Sequence, residues 1–280
     1  MHQLLSIVIS LNQQVNQNIY FCRMILTDTH THLYLEQFNE DRRQVVERAV
    51  EDGVKFMLLP NIDSNTTEPM LDLCREFPEN VFPMMGLHPT DVKDNFREEL
   101  DKVRSELEKG KYFAIGETGI DLYWDKTFFR EQQMALREQV QLAKDFSLPI
   151  VLHVRESFDE VFEIIGDMNN DRLTGVFHCF TGTFEQAETI IGWGFKMGIG
   201  GVLTYKNSGL DKVVKDIPME HLVLETDSPF LAPKPFRGKR NESSFVKYVA
   251  EKLAEVKNIN VEEVAEITTR NAIELFKFPV

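Results

Sequence analysis

The stretch LTDTHTHLYL, Leu26 to Leu35, follows directly on Ile25 and places Asp28, His30 and His32 at every second position. In a β-strand alternate residues share a face. Three polar groups would then crowd one side of a segment that begins as core. That arrangement is unfavourable unless something binds them, and paired imidazoles beside carboxylates are the usual ligands of divalent metal ions.

Working outward, similar apolar runs recur until there are eight: MILTDTHTHL, VKFMLLPNI, VFPMMGLHP, YFAIGETGID, PIVLHVR, TGVFHCFTG, FKMGIGGVLT and LVLETDSPF. They are short, rich in Val, Ile, Leu and Phe, and flanked by Gly and Pro, which reads as buried parallel strands. Amphipathic segments lie between them. EDRRQVVERAVEDG, for example, spaces Val45, Val46, Ala49 and Val50 along one helical face. The strand tips, at His32, Asn61, His88, Glu117, His153, His178, Gly201 and Asp227, fall roughly 23 to 36 residues apart, one βα unit each. Eight units predict an α/β protein, a (β/α)8 TIM barrel forming a single domain over 24–280. The rival doubly wound sheet lacks its Gly-rich phosphate fingerprint after the first strand.

Residues 1–23 stand apart. LLSIVISL is too short to span a bilayer, and no Lys or Arg precedes it as in a signal peptide. The polar NQQVNQN follows, and Met24 sits directly before the first strand-like run. We expect residues 1–23 to be an N-terminal extension, with translation able to start at Met24. No membrane span is expected elsewhere. Cys22, Cys74 and Cys179 show no paired spacing, which fits free thiols in a reducing, cytoplasmic setting. No heptad or apolar stripe calls for an obligate protein partner, so a monomer is expected.

Charge narrows the function. The formal net charge is −14, from 31 Lys and Arg against 45 Asp and Glu. A protein held to nucleic acid by an overall basic surface is excluded. A nucleic-acid substrate would need bound cations and a local basic patch.

The polar residues gather where the runs end, and a barrel does its chemistry at the C-terminal tips of its strands. His30 and His32 occupy the first tip, Glu117 the fourth, His153 the fifth, His178 the sixth and Asp227 the eighth. Any one alone has an ordinary explanation: a hydrogen-bonded rim histidine, or a carboxylate capping a helix. Six ligand-type residues on five tips of one barrel do not, because clustered carboxylates repel and buried charge must be paired. One tetrahedral site needs three or four protein ligands, so six suggest two ions. His30, His32 and Asp227 are assigned to one, His153 and His178 to the other, and Glu117 to both. Mixed nitrogen and oxygen ligands suit Mg, Mn, Zn or Fe. Alternation turns Cys179 away from His178 and excludes it as a ligand. Asp28 and Glu225 share parity with ligands and are candidates to hydrogen-bond a ligand imidazole; a structural hydrogen bond is the alternative. Arg155 is a candidate for holding an anionic group, or a rim ion pair. His88 is a candidate phosphate ligand or proton donor, or a turn residue.

Taken as an ordered series, DTHTHL, GLHP, IGETGIDLYW, LHVRES, FHCFTG, ETDSP and PKPFRGKRNES resemble the TatD family of metal-dependent deoxyribonucleases, within the amidohydrolase-like barrel superfamily. The likeness runs from about Ile25 to the C-terminus. Where many superfamily members bridge their metals with a carboxylated Lys, this chain has Glu117, as the TatD group does. Thr118 and Ser243 depart from the family pattern, which usually has an aliphatic residue and Pro there. The resemblance implies two divalent ions on His30, His32, Glu117, His153, His178 and Asp227. It also implies hydrolysis of DNA phosphodiesters from the 3′ end; the expected substrate is single-stranded or frayed DNA, with RNA left open as an alternative. Lys234, Arg237, Lys239 and Arg240 in KPFRGKR would contact phosphate, and Tyr123 and Trp124 would stack on a base. Asp227 would orient or deprotonate the attacking water. An amide or lactone hydrolase is the enzymatic rival, and a non-catalytic metal-binding interaction protein the other.

Overall fold

A computed structural model describes residues 24–279; the expected N-terminal extension lies outside the described residues. Eight strands form in chain order: β1 (Leu26–Asp28), β2 (Val54–Leu59), β3 (Val81–Pro83), β4 (Ile115–Asp121), β5 (Ile150–Arg155), β6 (Gly175–Phe177), β7 (Lys196–Ile199) and β8 (Leu222–Leu224). All neighbours pair in parallel, as β1-β2-β3 and as β4-β5-β6-β7-β8. Parallel bridges at Met85–Ile115 and Thr31–Ser228 join the two ladders into a ring. The Thr29 N–H donates to the Leu224 carbonyl at 3.0 Å and helps close it. The expected (β/α)8 barrel is what the chain forms.

The helices wrap this ring: α1 (Arg42–Glu51), α2 (Thr67–Glu76), α3 (Phe96–Lys109), α4 (Phe129–Phe146) and α5 (Phe158–Met168). They continue with α6 (Phe184–Gly192), α7 (Leu210–Val214), α8 (Val246–Lys257) and α9 (Val261–Phe276). Their apolar faces decide how they pack. Helix α1 buries Val45, Val46 and Ala49, with Val50 half-buried at the edge of that face. Their starts are set by local chemistry: Thr183 and Gln186 cap α6 reciprocally, and the Asn260 side chain accepts the Glu263 N–H at the start of α9. Among the described residues no helix is long and apolar enough to cross a membrane.

The two ends of the barrel differ in chemistry. Its N-terminal end is filled by Phe56, Phe82 and Phe113, with Phe278 packed among them from beyond α9. The Phe278 ring stacks on Phe56 at 4.6 Å and lies 5.0 Å from Phe82. This plug is apolar, so the polar strand tips are left to the opposite mouth.

Replacing Phe278 by Ala should open a cavity there and cost about 3 kcal/mol. A denaturant midpoint that falls with unchanged slope is the expected result; an unshifted midpoint would show that the plug is dispensable.

Candidate active site

At the C-terminal mouth the six expected residues do meet. Glu117 lies in β4, fully buried, and its two carboxylate oxygens face different partners. Oε2 is 2.9 Å from His30 Nε2 and 3.5 Å from His32 Nε2. Oε1 is 2.7 Å from His153 Nδ1 and 3.2 Å from His178 Nε2. Asp227 stands on the first side, with Oδ1 3.7 Å from His32 Nε2 and 4.0 Å from His30 Nε2.

Local backbone explains the placement. His30 and His32 flank the bridge residue Thr31 just past β1. The His178 N–H donates to the Leu152 carbonyl and so extends the β6 ladder. The Asp227 N–H donates to the His30 carbonyl, and its φ of 56° puts it in the left-handed region. A non-glycine residue there is uncommon, and such conformations gather at functional sites. The turn leaves the Asp227 side chain 15% exposed where Glu117 is 2% exposed, so Asp227 is the carboxylate that faces the mouth.

Hydrogen bonds on the outer ring nitrogens fix the tautomers. Tyr34 donates its hydroxyl proton to the Pro60 carbonyl, so His32 Nδ1–H must be the donor to Tyr34 Oη at 3.0 Å. His178 Nδ1–H donates to Glu225 Oε1 at 3.1 Å, and His153 Nε2–H to Asp121 Oδ2 at 2.9 Å. In its neutral form each ring turns a lone pair inward, the form that ligates a cation. Burial opposes charge on His178 and His153, but Glu225 and Glu117 push His178 well above its ordinary value, and Asp121 and Glu117 raise His153. Burial pushes His30 well below its ordinary value, which keeps it neutral. Burial opposes the charge on Glu117, but His30, His178 and His88 around it hold its carboxyl well below the usual range. Burial raises Asp227 to about 6.

The donor set fits divalent cations. His30 Nε2 and His32 Nε2 approach to 3.3 Å, and the His30 and His178 rings stack at 3.7 Å. His30 Nδ1 and Glu225 Oε2 are buried without a hydrogen-bond partner. Crowded lone pairs and orphaned polar atoms are costly without a positive charge between them. Among the described residues three groups have atoms close enough to hold an ion: His30–His32–Asp227, His88–Glu117–His153 and His30–His178–Glu225. No cysteine takes part among the described residues, in line with the exclusion of Cys179. Burial pushes the Cys179 thiol up to about 12.

The surrounding candidates divide. Glu225 holds His178 and also accepts the Cys179 N–H. A Cβ on Gly198 would collide with Glu225 Oε2, so only glycine leaves this carboxylate its place. Among the described residues Asp28 hydrogen-bonds no imidazole side chain, contrary to the expectation that it would hold a ligand ring. It accepts the Thr226 N–H at 2.9 Å, the Thr226 hydroxyl at 2.6 Å and the His30 N–H at 3.4 Å. Its role is to tie the end of β1 to the end of β8. His88 Nδ1 lies 3.1 Å from the Thr90 amide nitrogen and 2.6 Å from the Thr90 hydroxyl, and its Nε2 is 3.5 Å from Glu117 Oε1. His88 thus turns Nε2 toward the mouth. The Arg155 guanidinium lies 3.9 Å from the Tyr123 ring and has no carboxylate partner among the described residues. Tyr123 and Trp124 are exposed beside it. Arg237 sits 4.5 Å over the Tyr205 ring.

Arg240 corrects the expectation of phosphate contact. Both its terminal nitrogens donate to Asp41, at 2.7 and 2.6 Å, and one also to the Gln37 carbonyl. A guanidinium held this way fastens the loop to the start of α1. Two residues were missed: Tyr34 and Asp121. Both continue an alternation already in view, Tyr34 two after His32 and Asp121 four after Glu117. The departures from the family pattern are also accounted for. The Thr118 hydroxyl accepts from Gln139, and the Ser243 hydroxyl donates to Thr31 beside the β1–β8 bridge.

With the geometry established, comparison with known proteins is informative. The family described as TatD related DNase matches residues 27–277. The chain is 41% identical over 254 residues to YabD of Bacillus subtilis, named an uncharacterized metal-dependent hydrolase, covering 90% of this chain and 99% of that one. It is 31% identical over 255 residues to a 3′-5′ ssDNA/RNA exonuclease TatD of Erwinia tasmaniensis, covering 89% and 98%. The crystal structure of YjjV, a TatD homologue from Escherichia coli, superposes with a TM-score of 0.86 at 31% identity, covering 92% and 99%.

Glu225→Ala removes the acceptor that orients His178. Metal affinity should fall by roughly 10–100-fold with the circular dichroism spectrum retained. Chelator competition checks this, and undiminished affinity would show that Glu225 only supports the barrel.

Proposed function

The chain belongs to the TatD-related DNase family and is a metal-dependent hydrolase, and from that premise we propose that it hydrolyses phosphodiester bonds of single-stranded or frayed nucleic acid, DNA first, from the 3′ end. The observation that carries the two-ion reading is the division of Glu117, one oxygen toward His30 and His32, the other toward His153 and His178. His30, His32, Asp227 and Glu117 would hold one ion; His153, His178 and Glu117 would hold the other. Bound divalent ions supply a nucleophile from water at neutral pH and neutralise charge developing on phosphoryl oxygens.

The chain's own groups do the rest. Asp227, the partly exposed carboxylate, accepts the proton of the attacking water. His88, whose Nε2 faces the mouth, delivers a proton from that nitrogen to the leaving sugar oxygen. Arg155, Arg237, Lys234 and Lys239 supply positive charge at the tip of β5 and on the loop after β8. None of the four has a carboxylate partner among the described residues, although the chain carries a net charge of −14. Unpaired cations around the mouth of an acidic protein favour a phosphate-bearing substrate over an amide or lactone. The exonuclease name of the Erwinia relative supports the same reading.

End-labelled single-stranded DNA should be shortened by the metal-loaded protein, and chelator treatment should stop it. Glu117→Ala should lower both metal content and rate by roughly 100-fold or more. Faster turnover of an amide or lactone than of DNA, or full activity after chelation, would refute the assignment.

A further inference from the structure

Beside the metal ligands is a cavity of about 170 Å³ that the mechanism above does not use. Pro89, Val92, Trp124 and Phe128 give it apolar walls, and Asp121 and Asp125 line its edge. It adjoins the site directly. Asp121 Oδ2 bonds His153, while Asp121 Oδ1 accepts the backbone N–H groups of Tyr123 and Trp124. Pro89 and Thr90 follow His88 in sequence. One carboxylate therefore links the metal ligand His153 to the loop that carries the aromatic wall.

That wall is exposed without need. Trp124 is 69% exposed and Tyr123 51% exposed, edge to face at 4.9 Å. Arg155 holds the pair from one side, 3.9 Å from Tyr123 and 5.3 Å from Trp124. Phe184, Phe230 and Leu231 are also exposed and also follow strand tips, after β6 and β8. Apart from Ile25 before β1, the exposed large apolar side chains of the described residues thus follow strand tips, where a ligand with flat apolar faces would cover them.

We propose that this cavity is a nucleobase subsite, in which one base beside the scissile phosphate stacks on Trp124. The inference rests on the nuclease reading and names how that substrate is gripped. The volume suits one ring system and not a whole nucleotide. Stacking on an aromatic face accepts any base, so discrimination must come from the edge. Most other polar groups are engaged: the Thr90 hydroxyl bonds Asp91, Gln132 is paired with the Asp121 backbone, and Lys93 donates one of its protons to the Thr90 carbonyl. Asp125 is exposed and accepts the Thr127 N–H on Oδ1, and its carboxylate keeps further acceptor capacity toward the cavity. An ionised carboxylate is acceptor-only. It favours bases that present an exocyclic amino group and disfavours thymine and uracil, whose carbonyls flank their single N–H.

The test uses the full-length metal-loaded protein on 5′-labelled single-stranded DNA carrying an abasic residue at one or the other position flanking the terminal phosphodiester. At one of the two positions, loss of the base should lower kcat/KM roughly 10-fold. Trp124→Ala should show a similar loss on intact DNA and little further loss on that abasic strand, because the two changes remove one contact. Trp124→Phe should restore most of the rate. Asp125→Asn should shrink a preference for dA, dC or dG over dT at the same position. Losses that multiply independently, an abasic residue without effect at both positions, or a wild-type enzyme indifferent to base identity would each overturn the subsite while leaving the nuclease reading intact. No cleavage of any strand would overturn both.

Discussion

One carboxylate, Glu117, sets the terms for the rest of the mouth. It is buried in the centre of a strand with imidazoles on both of its oxygens. A buried charge survives only if it is paired and hydrogen-bonded. With the rings in their neutral, ligating form, cations placed between carboxylate and rings would neutralise it. The outer partners make sense on that basis. Tyr34, Glu225 and Asp121 each take the proton of a ring nitrogen on the far side, which holds the ring in its ligating form.

The barrel makes this arrangement possible by closing where the chain begins and ends its series of strands. His30 and Asp227 are separated by nearly two hundred residues, yet the Asp227 N–H reaches the His30 carbonyl. Asp28 secures that junction through three hydrogen bonds, two of them to Thr226, and burial pushes its carboxyl up to about 7. Thr31, Ser228 and Ser243 add a chain of hydroxyls beside it. The first proposed metal group therefore depends on closure of the ring, and the second on the β4–β5–β6 ladder. Glu117 joins the two.

The mouth and the surface obey different electrostatics. Some cations on the flanks are committed to neighbouring carboxylates, as Arg48 is to Glu242 and Arg240 to Asp41. Around the site the carboxylates face inward, and Arg155 rests on aromatic rings. A negative molecule can approach an acidic protein there because the negative groups at the mouth are the ones the metal ions neutralise.

Strand periodicity, the spacing of eight units and the polar residues at their ends were set by the order of amino acids alone. Each is a local property, fixed by which side chains a short strand must bury and which it can present at its tip. The six proposed ligand positions followed from the same alternation, and Tyr34 and Asp121 were within its reach. Only the folded ring decided what each remaining side chain touches. Arg240 and Arg155 are both arginines near strand ends, but one meets Asp41 and the other Tyr123. Asp28 and Glu225 have equal claims by parity, yet only Glu225 meets an imidazole. Such choices depend on groups far apart in the chain. A long side chain can reach several partners, and its position in the strand pattern does not say which of them closure will bring within hydrogen-bonding distance.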